Sequence, residues 1–83
     1  MNIWRLETAK AAAGYRSTAS IYNLINKGLW PKPVKINVRS VGWPDREILA
    51  INAARIAGQT DDQIRELVLR LHAKRSELLQ VAA

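Results

Sequence analysis

The sequence predicts a mainly α fold carrying a small β-hairpin. Three observations support this: aliphatic residues at helical spacing in both halves of the 83-residue chain, a proline-bounded stretch of period 2 between them, and glycines where helices should stop.

The first helix is expected over Glu7–Ala13 (ETAKAAA), a run of strong helix formers that stops at Gly14. Ser17 and Thr18 offer hydroxyl caps to a second helix over Thr18–Lys27, in which Ile21, Leu24 and Ile25 share a face and Gly28 supplies the stop. Two short helices joined by a tight polar turn, with an aliphatic seam on the second, outline a helix-turn-helix. Pro31 and Pro33 then forbid helix, while Val34, Ile36 and Val38 alternate with Lys35, Asn37 and Arg39. With Val41-Gly42-Trp43 as the return strand, this is a hairpin, or wing, with its turn near Asn37–Arg39. Pro44 suits the first turn of a third helix, and Asp45 and Glu47 favour its positive N-terminus. Ile48, Leu49, Ile51, Ala53 and Ile56 give that helix a broad apolar face, ended by Gly58. Thr60-Asp61-Asp62-Gln63 has the form of a capping box opening a fourth helix, with Ile64, Leu67, Val68, Leu71 and Leu78 largely on one side and Val81-Ala82-Ala83 expected to fray. The expected architecture is a winged helix-turn-helix over residues 1–58 and a C-terminal helical extension over residues 59–83, packed on it within a single structural domain.

Composition narrows the functions open to such a chain. Cys is absent and His occurs once, which excludes disulfides, thiolate zinc sites, Cys nucleophiles and His-rich metal centres. Glu66 and Glu77 have no convergent partners for acid–base work, and His72 reads as a surface or rim side chain. Neither catalysis nor a cofactor is expected. No apolar run approaches the roughly 20 residues that span a bilayer, and the N-terminus lacks the order of a signal peptide. The expected location is therefore the cytoplasm, in association with the nucleoid, with no membrane partner.

The net charge of +6 comes from 13 Lys+Arg against 7 Asp+Glu. Residues 1–44 hold seven basic side chains (Arg5, Lys10, Arg16, Lys27, Lys32, Lys35, Arg39) against Glu7 alone, whereas residues 45–83 hold six of each sign. The whole excess thus lies with the predicted helix-turn-helix and wing, which points to a polyanionic partner. With Ile21, Leu24 and Ile25 turned inward, Thr18, Ala19, Ser20, Asn23 and Lys27 face outward. Asn23 is the candidate base reader, because its amide can present donor and acceptor together to adenine in the major groove of duplex DNA. Arg16, Ser17, Thr18, Lys27, Lys32 and Lys35 suit phosphate, and Arg39, beside Ser40 on the wing, suits a narrow minor groove. Tyr22 either donates to phosphate or closes the edge of the core. Trp30 and Trp43 read as anchors bracketing the wing, with stacking on a flipped base as the other role open to them.

The run Trp30-Pro31-Lys32-Pro33-Val34-Lys35-Ile36, followed by Arg39-Ser40-Val41-Gly42-Trp43 and preceded by Ser20-Ile21-Tyr22 through Gly28, resembles the AlpA family of phage and prophage DNA-binding regulators over residues 4–57. That resemblance implies a winged helix-turn-helix related to excisionase and MerR-type readers. It also implies a transcriptional regulator, some relatives of which promote prophage excision by controlling or assisting an integrase. The turn between Gly14 and Ile21 is one residue longer than the usual family spacing, Ile51 stands where many members have Trp, and the chain from Thr60 extends past the short family core.

The expected function is sequence-specific binding of double-stranded DNA by a phage or prophage transcriptional regulator, with an excisionase or recombination-directionality role within its range. The alternative is an adaptor for integrase or RNA polymerase that uses the fourth helix and touches DNA only nonspecifically. That helix either folds back over the first three or forms a partner interface, since Leu69 and Leu79 fall off its main stripe. A homo-oligomer on DNA would be a twofold dimer on palindromic sites or a head-to-tail array on direct repeats.

Overall fold

In the computed structural model, which describes residues 2–82, the chain runs β1 (Ile3–Arg5), α1 (Leu6–Ala12), α2 (Thr18–Asn26), β2 (Val34–Lys35), β3 (Val41–Pro44), α3 (Asp45–Ile56) and α4 (Asp61–Ala82). The four expected helices are all present, α1 beginning and ending one residue earlier than the sequence suggested. This is a mainly α, winged-helix-like fold.

Local backbone chemistry decides where the helices stop. Gly28 takes φ +75°, a conformation that disfavours any residue with a Cβ, and this lets the chain reverse after α2. The Leu29 N–H then donates to the Leu24 carbonyl at 2.9 Å and the Gly28 N–H to the Ile25 carbonyl at 3.1 Å, so two otherwise unpaired carbonyls are satisfied. The same paired bonds close α1 through Tyr15 and Lys10, and α3 through Gln59 and Ala54. At the start of α4 the capping box is reciprocal: Thr60 N–H donates to Gln63 Oε1 at 2.9 Å and Gln63 N–H to Thr60 Oγ1 at 3.2 Å. Pro44 falls one place earlier than expected, as the last residue of β3 and the cap position of α3.

The strands form one antiparallel sheet in the order β1-β3-β2. Sequence reasoning did not foresee β1; three residues are too few to display a period. Its register places Trp4 opposite Trp43 and Arg5 opposite Gly42, while β2 sets Val34 opposite Gly42 and Lys35 opposite Val41. Alternation therefore divides the sheet into a core face carrying Trp4, Trp43, Val41 and Lys35 and an outer face carrying Ile3, Arg5, Val34 and Gly42. Gly42 is required by contact, not by dihedral angle. A Cβ there would lie 2.7 Å from Ile3 Cγ2, 2.8 Å from the Trp4 carbonyl oxygen and 2.9 Å from Ile36 Cδ1. The ladder of the wing ends sooner than the alternation implied: Ile36 and Asn37 N–H groups both turn to the Ser40 carbonyl, so Val38 is exposed at the tip and does not lie on an apolar strand face.

Two clusters make the core. Ala9, Ile21, Trp30, Trp43 and Ile48 form the first, with Trp4, Tyr15, Leu24, Ile25 and Val41 packed against it. Trp30 meets Tyr15 and Trp43 edge to face, at centroid distances of 6.0 and 6.3 Å, and the Trp43 indole N–H donates to the Pro31 carbonyl at 2.7 Å. Both tryptophans are buried, so they anchor the wing and present no ring for a base to stack on. Truncating either to alanine would cost about 3–5 kcal/mol. The second cluster, Leu29, Ile51, Ala54, Ile64 and Val68, with Leu67 and Leu71 at its edge, is where α4 folds back on α3. Leu78 of the expected stripe remains partly exposed.

The buried face of α3 differs from the expected one. Glu47, Ile48, Ile51 and Ala54 turn inward, while Leu49, Ala53 and Ile56 lie exposed. The helix offers two stripes at 3.6-residue spacing, and the buried one contains a carboxylate because Arg75 of α4 meets it: Arg75 Nε to Glu47 Oε2 is 2.8 Å and Nη2 to Oε1 is 2.6 Å. As for the tail, α4 continues to Ala82, and Ala83 lies outside the described residues.

Candidate nucleic-acid interface

The inward face of α2 is the expected one: Ile21 is fully buried, and Leu24 and Ile25 pack on the first cluster. The opposite face is consequently free. Thr18, Ala19, Asn23 and Lys27 are exposed, Ser20 is half-buried, and Tyr22 is 41% exposed. Arg16 is exposed in the turn before the helix. Ser17 occupies the cap position of α2, yet its side chain makes no capping hydrogen bond, contrary to expectation. The hydroxyl is thus uncommitted at a helix end whose first N–H groups favour anions.

On the wing, Lys35 is exposed on the sheet face shared with Val41 and Trp43, which pack in the same cluster as Ile21 of α2. The lysine therefore leans toward the helix side of the sheet. Arg39 is exposed at the tip, where its N–H donates to Asn37 Oδ1 at 3.0 Å. Ser40 is half-buried and its hydroxyl accepts a hydrogen bond from Arg5. Lys32 is exposed between α2 and the wing. Of the seven basic side chains in residues 1–44, Lys10 alone has a carboxylate partner among the described residues, Glu7 at 3.2 Å.

Sequence reasoning passed over four side chains that hold this surface in place. Arg5 ties β1 to Ser40 across 35 residues. Arg65, His72 and Arg75 of α4 bond to the main chain at Lys27 and Lys32. His72, a surface or rim side chain by sequence, is half-buried, and its Nε2 accepts the Lys32 N–H at 3.0 Å. Burial, followed by Arg75, lowers its pKa from the ordinary 6.5, with Lys32 adding to the effect and Glu47 opposing it. No sequence signal marks these contacts, because each joins residues 35 to 43 positions apart.

A helix with an apolar inner and an open polar outer face, a neighbouring wing and a field of unpaired cations define a winged-helix-like protein of the class built around an exposed second helix. The family described as Prophage CP4-57 regulatory protein (AlpA) matches residues 3–50. The chain belongs to this AlpA family of prophage regulatory proteins. No curated protein and no solved structure matches the chain. Among the described residues no helix is long and apolar enough to cross a membrane.

Proposed function

We propose that this AlpA-family chain is a sequence-specific double-stranded DNA-binding regulator of a phage or prophage, acting in the cytoplasm at the nucleoid. The observation that carries it is the juxtaposition on α2 of a core-packed aliphatic face and an exposed face holding Thr18, Asn23 and Lys27, with partnerless cations before and after it. An α-helix such as α2, about 10–12 Å across with its side chains, fits the roughly 12 Å width of the major groove. Asn23 reads a base. Arg16, Ser17, Thr18, Ser20, Tyr22, Lys27, Lys32 and Lys35 fix the register on phosphates, and Arg39 with Ser40 brings the wing to the backbone or minor groove. Occupying a promoter or attachment region alters polymerase access or DNA shape, which makes transcriptional control and assistance to an integrase two outcomes of one binding event.

Counterion release supplies the test. If about six phosphates are neutralised, the log–log slope of duplex affinity against salt is roughly −5. A titration showing no salt dependence would remove the electrostatic basis of this function. Selection of bound sites from random duplexes would then yield the operator and its half-site arrangement.

A second reading has one observation in its favour. Leu69 and Leu79 on α4 are 68% and 73% exposed, as an adaptor's docking helix for integrase or RNA polymerase would require. A footprint formed by the isolated chain at physiological salt favours direct readout; one that appears only with a partner favours the adaptor.

A further inference from the structure

Residues beyond the family match grip the main chain between the two basic elements. Arg65 Nε donates to the Lys27 carbonyl at 2.8 Å, Lys32 N–H donates to His72 Nε2 at 3.0 Å, and Arg75 Nη2 donates to the Lys32 carbonyl at 2.7 Å. The segment from Lys27 to Lys32 is thus held at both ends by one face of α4, and Arg75 is itself fixed by its fork on Glu47. Every one of these bonds is to backbone. They set where each lysine stem begins and leave both ammonium groups free, with both side chains exposed.

We propose that α4 is part of the DNA reader: Arg65, His72 and Arg75 are positioning residues that hold Lys27 and Lys32 in register with the phosphates, and the hold at Lys32 depends on a neutral His72. This rests on the DNA-binding function proposed above. An imidazole nitrogen accepts a hydrogen bond only when unprotonated, so the bond from Lys32 N–H places the ring proton on Nδ1. The charged groups around the ring are Lys32 on the linker, Arg75 on its own helix and Glu47 on α3, and Arg65 lines the same groove of about 260 Å³. Burial and the two cations outweigh the carboxylate, which keeps the ring neutral at neutral pH. Below that range the ring takes a second proton, N–H faces N–H, and Lys32 loses one of its two ties. Because the chain has one histidine, no other side chain has an ordinary value between the carboxylates and neutral pH. The sign is diagnostic. A histidine that merely added charge beside DNA would tighten binding in acid, whereas a positioning histidine loosens it.

The experiment measures anisotropy of a labelled random-sequence duplex of about 25 base pairs at low salt, with the full-length chain shown folded by circular dichroism at each pH. The expected results are weaker binding by the wild-type chain as pH falls below the ordinary histidine range and a flat profile for His72→Gln, which keeps an acceptor and cannot titrate. At pH 7.5, His72→Leu should bind about three- to tenfold more weakly and His72→Gln close to wild type, as for one lost hydrogen bond. Tighter or unchanged wild-type binding in acid, or full affinity in a folded His72→Leu, would overturn the positioning role. Absence of wild-type binding at any pH would overturn DNA binding itself, and the positioning role with it.

Discussion

The two halves of the molecule pair their cations to different extents. After Pro44 three of the six basic side chains, Arg55, Arg65 and Arg75, face a carboxylate, Asp61, Asp62 and Glu47 respectively, while Arg46, Arg70 and Lys74 face none among the described residues. Before it, Arg5, Arg16, Lys27, Lys32, Lys35 and Arg39 face none among the described residues. The difference shows that the positive field is more than a property of composition. Four of the six acids of the second half lie in the first turns of α3 and α4, and three of those four pair with arginines. The exposed pairs contribute little stability, at most about 1 kcal/mol each, whereas the Glu47–Arg75 pair, with Glu47 only 5% exposed, is of a different kind.

Breaking that pair is the largest perturbation the contrast offers. Arg75→Met would leave a buried carboxylate with no counter-charge and free the Lys32 carbonyl, costing about 3–5 kcal/mol in urea unfolding. Combining it with Glu47→Met should recover most of the loss, because the stranded charge goes with its partner. An Arg75→Met chain as stable as wild type would mean that the second half does not fold through its ion pairs, and the distinction between the halves would fall.

The exposed half predicts the reverse pattern, an effect on binding without one on folding. Asn23→Ala should cost about 1–3 kcal/mol on the selected operator and much less on random duplex, whereas Lys35→Ala should weaken both similarly and reduce the salt slope by roughly one. Both side chains are exposed, so unfolding midpoints should stay within about 0.5 kcal/mol of wild type. Equal losses from Asn23→Ala on the two DNAs would move Asn23 from the base-reading to the positioning set and sharpen the division within α2 itself.

Much of the fold was legible because its signals are local. The stop after α2 is written in Gly28, the capping box in Thr60 and Gln63, and the turn of the wing near Asn37–Arg39, and each is realised by bonds spanning six residues or fewer. The outward face of α2 followed from Ile21, Leu24 and Ile25 for the same reason. What was not legible is long-range. A three-residue strand, Ile3–Arg5, has no period to read and exists because β3 offers it an edge. The sequence of α3 allows two apolar stripes, and the buried one includes Glu47, whose partner Arg75 lies 28 residues away. Ser17 looks like a cap by type and position, but hydroxyl orientation is set in three dimensions. The grip of α4 on Lys27 and Lys32 was hidden twice over, since two of its three acceptors and one of its donors are backbone groups that any sequence supplies.

The smallest effect separates His72 from both halves, because it belongs to the folding half and acts on the DNA-facing one. Its pKa in the fold lies below the ordinary 6.5, chiefly through burial and then through Arg75. In the window between the folded value and 6.5 the unfolded chain binds more protons than the native one, so native stability rises with pH there. The contribution is complete above 6.5 and is lost as pH falls through the folded value. Unfolding midpoints should therefore decline on acidification before the carboxylates begin to titrate, and His72→Gln should flatten that part of the curve while leaving the carboxylate-driven fall at lower pH intact. A wild-type curve already flat across this window would show that the ring is as free to take a proton in the fold as in the unfolded chain. That would leave the Lys32–His72 bond without energetic weight.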